Sequence, residues 1–171
     1  MRSKSLCWLS KNNVLIDGSL KEFFIVYQED LATELLSGKC EQYLQSMLRQ
    51  PTALVRKQGA YFLCNNFSVL LVLGSDKHLR KYGQLALELF NPREIKNEKI
   101  NLLTETLSLI SEISRSRTAL HHADIFEVLK KQLSKDEWLR FHGKNKFLIS
   151  DYLDQVGISQ STFDRSRGRG L

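Results

Sequence analysis

Proline, glycine and cysteine are scarce in this chain, and their scarcity limits the folds that it can adopt. Its 171 residues include two prolines, nine glycines and three cysteines. So few turn-forming residues favour helices over a turn-rich β-sandwich. Cys7, Cys40 and Cys64 are widely spaced, without a CxxC pair or an adjacent histidine, so neither a disulfide framework nor a zinc site is supported. We interpret them as buried or incidental thiols in a reducing compartment.

Long apolar runs are also missing. The run near the N-terminus, Leu6-Cys7-Trp8-Leu9, is shorter than the core of a signal peptide, which needs about 7–15 apolar residues. The most apolar stretch, residues 60–73, is interrupted by Asn65, Asn66 and Ser68. It is also shorter than the ~20 apolar residues that span a bilayer. We therefore expect a cytoplasmic protein that has no membrane partner.

The overall composition is that of an ordinary globular chain, with 42% hydrophobic and 26% charged residues. This much apolar surface can form a core, which excludes a chain that is disordered throughout. The length suits one ordinary domain or two small ones. The formal net charge is +6, and a basic balance of this size does not by itself name a function.

The first part of the chain predicts a mixture of strands and helices. Short apolar runs at residues 6–9, 14–16 and 23–27 are separated by Asn-Asn and Asp-Gly turn signals, which predicts two or three short strands. From Glu29 the apolar residues recur every three or four positions, which predicts amphipathic helix. We expect Ser37-Gly38 to break this helix in two.

Three further patterns follow before residue 114. Residues 61–64 and 67–73 flank Asn65-Asn66, which predicts a second hairpin. Gly74-Ser75-Asp76 predicts the start of a helix that ends at Asn91-Pro92 and places on one face Leu79, Tyr82, Leu85, Ala86 and Leu89. Residues 95–113 predict a long helix.

A domain boundary is predicted at residues 114–117, which are polar and unpatterned. The fold class is expected to be α+β and mostly helical. Residues 1–113 form a small strand-containing N-terminal region, which is a candidate for regulation or dimerisation. Residues 118–171 form a helical C-terminal region, with a helix over about 119–133 and one helix-turn-helix.

The sequence FLISDYLDQVGISQSTF, residues 147–163, indicates that helix-turn-helix. Such a motif needs a first helix, a tight turn that often holds glycine, and a second helix packed across the first. Tyr152 and Val156 are one turn apart on the predicted first helix. Gly157 occupies the predicted turn, and Ile158 is the next expected buried position.

The predicted second helix has a start signal and an anchor. The hydroxyl of Ser159 can accept from backbone N–H groups two or three residues further on, which makes it a good N-cap. Phe163 is the expected buried anchor. The outward face would then carry Gln160, Ser161, Asp164 and Arg165. The same spacing also occurs in an ordinary packed αα-corner, which remains the alternative interpretation.

That outward face has side chains suited to double-stranded DNA. In the major groove, Gln can bond adenine and Arg can bond guanine, each through two hydrogen bonds. Ser161 and Thr162 can bond phosphate. Basic residues at the end of the chain add contacts to the phosphate backbone. The candidate DNA-binding residues are Ser159, Gln160, Ser161, Thr162, Asp164, Arg165, Arg167 and Arg169.

These residues resemble the DNA-binding region of the AraC-type transcription activators. The resemblance rests on Leu148-Ile149-Ser150-Asp151-Tyr152-Leu153 and on Ile158-Ser159-Gln160-Ser161-Thr162-Phe163, and it covers about the last 50 residues. It implies a transcription activator, with the subgroup that controls type III secretion and fimbrial genes, and hence virulence, as the nearest variety. The family carries two such motifs joined by a long helix, and residues for the first are present here. We therefore expect a truncated regulator, a fragment of a longer one, or a protein that kept the regulatory part and lost half of its DNA contacts.

Catalytic and cofactor motifs are absent from the sequence. It has no GxSxG elbow, P-loop, dinucleotide fingerprint or HExxH pair. His121 and His122 lie beside Asp124, but adjacent residues on a helix point about 100° apart, so we interpret them as a solvated helix start. We expect no enzyme activity, no cofactor and no metal site.

Three hypotheses for function follow, and the third is a purely structural helical module in which Tyr152, Val156, Ile158 and Phe163 only form core. In the first, the chain is a transcriptional regulator that recognises a promoter through one helix-turn-helix, with RNA polymerase, a second copy or another regulator as further partners. In the second, it does not bind DNA and modulates a full-length regulator by pairing through its N-terminal region. One motif gives few base contacts, which is the reason for the second hypothesis.

Overall fold

The computed structural model describes residues 2–21, 24, 31–37, 40–91, 98–115 and 120–167. It confirms the predicted fold class, α+β and mostly helical. The described strands are β1 (Arg2–Ser5), β2 (Val14–Leu15), β3 (Thr52–Lys57), β4 (Ala60–Leu63) and β5 (Ala86–Phe90). The described helices are α1 (Leu6–Ser10), α2 (Ala32–Leu36), α3 (Glu41–Leu48), α4 (Ser68–Leu73), α5 (Asp76–Tyr82), α6 (Glu98–Arg115), α7 (His122–Leu129), α8 (Lys135–His142), α9 (Ile149–Val156) and α10 (Gln160–Arg167).

The strands form a mixed five-stranded sheet in the order β1-β5-β3-β4-β2. β1 runs antiparallel to β5, β5 runs parallel to β3, and β2 runs parallel to β4. β3 and β4 form an antiparallel hairpin in which Lys57 pairs with Ala60. Its two turn residues, Gln58 and Gly59, have φ angles of 49° and 81°. Positive φ at both positions is the type I′ geometry that matches the twist of paired strands.

The hairpin predicted around Asn65-Asn66 is wrong. Residues 61–63 do lie in β4, but residues 68–73 form the helix α4. Asn65 instead fixes the chain where the strand ends, because its Oδ1 accepts from the amide of Ala53 at 2.7 Å and its Nδ2 donates to the carbonyl of Pro51 at 3.1 Å. A short apolar run has the same appearance in a buried strand and in a buried helix, so the sequence pattern did not separate them.

The strand predicted at residues 6–9 is also wrong, because these residues form α1. Ser5 caps this helix, and its hydroxyl oxygen accepts from the amide of Trp8 at 3.1 Å. The strand at residues 14–16 is confirmed in β2. The strand predicted at residues 23–27 lies outside the described residues, apart from Phe24.

The helix predicted from residue 75 to residue 90 is half right. α5 begins at Asp76 but ends at Tyr82, and Ala86 and Leu89 lie in β5. Gly83 fits tightly at the end of α5, since a Cβ there would lie 2.5 Å from the carbonyl oxygen of Leu79. The apolar residues Ala86 and Leu89 belong instead to β5, which pairs with β1 on one side and with β3 on the other. The helical pattern after Glu29 is confirmed in α2 and α3, and the long helix is confirmed in α6.

α6 contributes to the apolar core and contacts helices from both the N-terminal and the C-terminal part of the chain. Its residues Leu103, Leu107 and Ile110 are buried. The helix contacts α2 and also α9. Of the predicted boundary, Ser114 and Arg115 are described, and they form the last turn of α6. Within the described ranges, no helix is long and apolar enough to cross a membrane.

α6 also places a buried carboxylate, that of Glu105, at the start of α4. Its Oε1 and Oε2 accept from the amides of Ser68 and Phe67, both at 2.8 Å, and Oε1 also accepts from the Ser68 hydroxyl at 2.7 Å. The first amides of a helix have no partner within it. Phe67, which precedes α4, has no acceptor in its side chain, so Glu105 supplies the cap from another helix.

Replacing Glu105 with glutamine should destabilise the protein. The amide group has one acceptor oxygen, so at least one of the buried donors loses its partner, at a cost of about 1–3 kcal/mol in the free energy of unfolding. Chemical denaturation of Glu105→Gln measures this cost. Glu112→Gln is the matched control, because Glu112 lies on the same helix with a half-exposed side chain paired to Arg115. Equal small losses in both variants would show that the Glu105 cap contributes little.

Candidate nucleic-acid interface

The helices α7 to α10 pack around a cluster of aromatic rings. The rings of Trp138 and Phe147 are stacked, with centroids 4.5 Å apart. Phe126 lies edge-on to Tyr152 at 5.7 Å and to Phe163 at 6.0 Å. Such pairs add about 0.5–1.5 kcal/mol each to the burial of their surface. Phe163 is the residue that α10 contributes to this cluster, so the cluster fixes the position of α10.

α9 has well-defined ends. At its start, the carboxylate of Asp151 accepts from the amide of Leu148 at 2.9 Å and from the ammonium of Lys144. Burial alone would raise the pKa of Asp151, but these two hydrogen bonds hold it below its usual range. At its end, Gly157 has a φ angle of 73°, and its amide donates to the carbonyl of Leu153 at 2.8 Å. Glycine adopts this left-handed conformation without steric cost, which explains its position in the turn.

The N-cap predicted for the second helix is confirmed. The hydroxyl oxygen of Ser159 accepts from the amide of Thr162 at 3.3 Å, and α10 begins at Gln160. The hydroxyls of Ser161 and Thr162 lie 2.9 and 3.0 Å from the same Ser159 oxygen. The predicted phosphate-binding hydroxyls therefore form a local network at the exposed start of α10.

The predicted inner face of the motif is confirmed at its central positions. Tyr152, Val156 and Phe163 are at most 1% exposed. Ile158 is half-buried and packs against the same core. The two helices meet through the rings of Tyr152 and Phe163, which lie edge-on with centroids 5.9 Å apart.

Phe163→Ala should lower the free energy of unfolding by about 3–5 kcal/mol, because it removes a fully buried aromatic ring and leaves a cavity. Urea denaturation measures the change. Leu139→Ala is the control, since the Leu139 side chain is 54% exposed and its truncation opens no cavity. A similar small loss for both variants would mean that Phe163 does not anchor α10.

The predicted outward face of α10 is exposed at all four positions, Gln160, Ser161, Asp164 and Arg165. These side chains bond to one another or to their own helix. Gln160 Nε2 donates to Asp164 Oδ1 at 2.9 Å, and Arg165 Nε donates to the carbonyl of Ser161 at 3.1 Å. Both contacts are intrahelical and exposed to solvent, so they hold the face in order without covering it.

Arg167 occupies a different position, at the edge between α10 and α7. Its guanidinium lies 5.2 Å from the ring centroid of Phe163 and 4.0 Å from the carboxylate of Asp164. Lys130 lowers the pKa of Glu127 on α7, and Arg167 contributes to this lowering more weakly. The guanidinium of Arg167 is thus already engaged in part by neighbouring side chains. Arg169, the remaining predicted contact, lies outside the described residues.

Positive charge is not concentrated on this motif. Residues 144–167 contain four cations and three carboxylates, a nearly even balance. Lys144 is paired with Asp151, and Arg167 with Asp164. Arg165 and Lys146 are exposed and form no ion pair with a described carboxylate. Contact with phosphate therefore depends on few groups.

Sequence analysis missed the role of His122, which is not solvated but buried, with 3% exposure. Its Nδ1 lies 2.9 Å from the hydroxyl oxygen of Tyr152, across the interface between α7 and α9. Ser166 on α10 makes a second link to α7, because its hydroxyl oxygen accepts from the amide of Ala123 at 3.1 Å. The helical spacing of His122 with Phe126 and Leu129 was the signal that could have revealed its burial.

The buried His122 should make the protein less stable in weak acid. Burial lowers its pKa from 6.5 to about 4. Because the unfolded chain then binds the proton more strongly, stability is complete above pH 6.5 and falls as the pH drops towards 4. Between pH 7 and pH 4.5 the loss from this group is about 2 kcal/mol.

Denaturation of the unsubstituted chain and of His122→Gln at both pH values isolates this effect, because the other histidines are common to both proteins. Glutamine keeps a hydrogen-bonding side chain beside Tyr152 but does not titrate. The unsubstituted chain should lose about 2 kcal/mol more than the variant on acidification. Equal losses would show that His122 binds protons alike in the folded and unfolded states.

Comparison with known proteins assigns no relative to this chain. No protein-family model, no curated protein and no solved structure matches it. The resemblance to AraC-type regulators therefore rests on the residues that carry it, 148–153 and 158–163. What the chain does has to be argued from the geometry of the helix-turn-helix.

Proposed function

We propose that this protein is a DNA-binding transcriptional regulator of the AraC type that recognises a promoter through α9 and α10. The observation that carries the proposal is that α10 has one buried apolar face and one exposed polar face. Phe163 is fully buried on one side, and the polar residues Gln160, Ser161, Asp164 and Arg165 are exposed on the other. A recognition helix needs a fixed inner face and a free polar outer face.

The exposed side chains supply several kinds of base contact. The amide of Gln160 suits adenine, the guanidinium of Arg165 suits guanine, and the carboxylate of Asp164 accepts from the amino group of cytosine. Gln160 and Asp164 first have to exchange their mutual hydrogen bond for bonds to bases. An exposed pair at this spacing stabilises a helix by only about 0.2–0.5 kcal/mol, so the exchange costs little.

The other candidate DNA-binding residues contact the backbone of the DNA in this proposal. The hydroxyls of Ser159, Ser161 and Thr162 lie at the start of α10, where hydrogen-bond donors and the helix dipole favour phosphate. Arg167 adds charge at the other end of the helix, and Arg169 adds a further charge two residues later in the sequence. These contacts set the position of α10, and the outward face reads the sequence.

Regulation would follow from occupancy, in the cytoplasm and without catalysis. Bound at a promoter, the protein would activate by touching RNA polymerase or would block a stronger activator. Because the motif gives few base contacts, a second copy or another regulator joined through the N-terminal region would raise the effective affinity. By analogy with the AraC-type subgroup that the residues resemble, virulence genes are the proposed targets.

Fluorescence anisotropy tests this proposal directly. The purified chain is titrated into labelled duplexes, including the region upstream of its own coding sequence, at two salt concentrations. We expect saturable binding that favours one duplex and weakens with salt. Gln160→Ala and Arg165→Ala should each weaken specific binding by about 5- to 150-fold, the equivalent of a base contact of about 1–3 kcal/mol.

The matched controls are Gln155→Ala and Arg140→Ala, which remove the same side chains from exposed positions on α9 and α8. They should leave specific binding unchanged, and all four variants should melt within a few degrees of the unsubstituted chain. Equal weakening in controls and test variants would remove Gln160 and Arg165 from the readout. Absence of binding at low salt would reject direct DNA recognition by this chain.

A second candidate function is that of an interaction protein that modulates a full-length regulator. It is favoured by the even charge balance of residues 144–167 and by the engagement of Arg167 with Asp164 and Phe163. Partner binding then depends on the N-terminal region. Adding the chain to a full-length AraC-type activator on its labelled promoter distinguishes the two: an interaction protein changes that complex while failing to bind the duplex alone.

A further inference from the structure

A cavity of about 610 Å³ lies on the sheet of the N-terminal region, far along the chain from the helix-turn-helix. It is lined by Lys4, Trp8, Leu54, Arg56, Tyr61, Leu89, Phe90 and Asn91. Its volume is within the range of about 300–1,000 Å³ typical of sites for small molecules. Five of the eight lining residues are apolar or aromatic, and two are cations.

The fold brings the two cations to this cavity by separate routes. Lys4 in β1 and Trp8 in α1 are four residues apart, and the Lys4 ammonium lies 5.1 Å from the centroid of the Trp8 ring. Arg56 in β3 is paired in register with Tyr61 in β4, so both lie on one face of the sheet. The Arg56 guanidinium lies 5.9 Å from the centroid of the Tyr61 ring.

The two pairs meet through their rings. Trp8 and Tyr61 are edge-on, with centroids 5.7 Å apart and an interplanar angle of 67°. The result is a continuous row of cation, ring, ring and cation along the cavity. Both rings are half-buried, so each keeps part of its surface open to an occupant.

The two cations have no negative partner among the described residues. Neither Lys4 nor Arg56 takes part in an ion pair in those ranges. Lys57, on the opposite face of the sheet, acts on a carboxylate at longer range: the Ser19 amide and, more weakly, Lys57 lower the pKa of Asp17. A concave surface with uncompensated charge of one sign concentrates ions of the opposite sign.

From this arrangement we infer that the cavity binds a small aromatic carboxylate. The guanidinium of Arg56 presents two parallel donors that match a carboxylate, and the ammonium of Lys4 supplies a second positive charge. The ring of the ligand packs against Trp8 and Tyr61 and against the aliphatic wall formed by Leu54 and Leu89. The site is independent of DNA binding and would give the N-terminal region a small-molecule effector.

Isothermal titration calorimetry on the full chain tests the inference with two matched probes. Indole-3-acetate carries a carboxylate, and indole-3-acetamide has the same ring and nearly the same shape without the charge. We expect the carboxylate to bind at least about tenfold more tightly than the amide. Equal affinities, or no heat from either probe up to about 5 mM, would overturn the inference. This comparison uses the unsubstituted chain and does not depend on the folding of a variant.

Three variants locate the site. Arg56→Gln and Lys4→Gln should each weaken indole-3-acetate binding by about tenfold. Lys57→Gln removes the same charge from the next residue of β3 on the other face of the sheet, and it should leave the affinity unchanged. Loss of affinity in Lys57→Gln equal to that in Arg56→Gln would mean that net charge alone attracts the probe, which would also overturn the inference.

A third arm separates a small carboxylate from a nucleic acid, since cations with exposed rings also bind single strands. The chain is titrated with uridine monophosphate and with a short single-stranded oligothymidylate. We expect both to bind more weakly than indole-3-acetate. Tighter binding of the oligonucleotide, lost in Arg56→Gln, would show instead that this face is a platform for single-stranded nucleic acid.

Discussion

A buried carboxylate on α6 decides how the middle of this chain folds. A buried carboxyl group such as that of Glu105 needs hydrogen-bond partners, because a polar group that is removed from water without them is costly. The start of α4 supplies three of them, two amides and the Ser68 hydroxyl. The contact satisfies both groups, since the side chain of Phe67 before α4 provides no cap. It joins the long helix to the sheet-containing region through a contact between residues far apart in sequence.

The C-terminal helices are also joined by side-chain hydrogen bonds from one helix to another, here between neutral groups. Ser166 on α10 accepts from the first turn of α7, and Tyr152 on α9 bonds His122 on α7. Together with the aromatic cluster, these contacts fix the inner face of α10 in position and in rotation about its axis. A helix that reads DNA has to present its outer side chains at a defined angle. Rigid anchoring on one side is what allows an exposed face on the other to be selective.

Local signals predicted the helix-turn-helix well, because each of its parts is encoded by neighbouring residues. Gly157 permits the left-handed turn, Ser159 caps α10, and Phe163 is the anchor. The N-terminal region was predicted less accurately because its elements depend on distant partners. Nothing near Phe67 shows that Glu105 caps α4, and β5 is a strand because it pairs with both β1 and β3. The cavity escaped notice for the same reason, since register and not sequence spacing joins Arg56 to Tyr61.

If α10 recognises DNA as we propose, the bond between Gln160 and Asp164 bears on how selective it can be. In the free protein the side chains of Gln160 and Asp164 are hydrogen-bonded to each other. A DNA sequence without adenine or cytosine at the right place offers no hydrogen bonds to replace this one, so the pair stays closed. A matching sequence replaces one exposed bond by several that are shielded from water. In the proposed role the closed pair would therefore weaken attraction to unrelated DNA, where an unpaired Asp164 would also repel phosphate. Selectivity of this kind comes from the penalty on wrong sequences as much as from affinity for the right one.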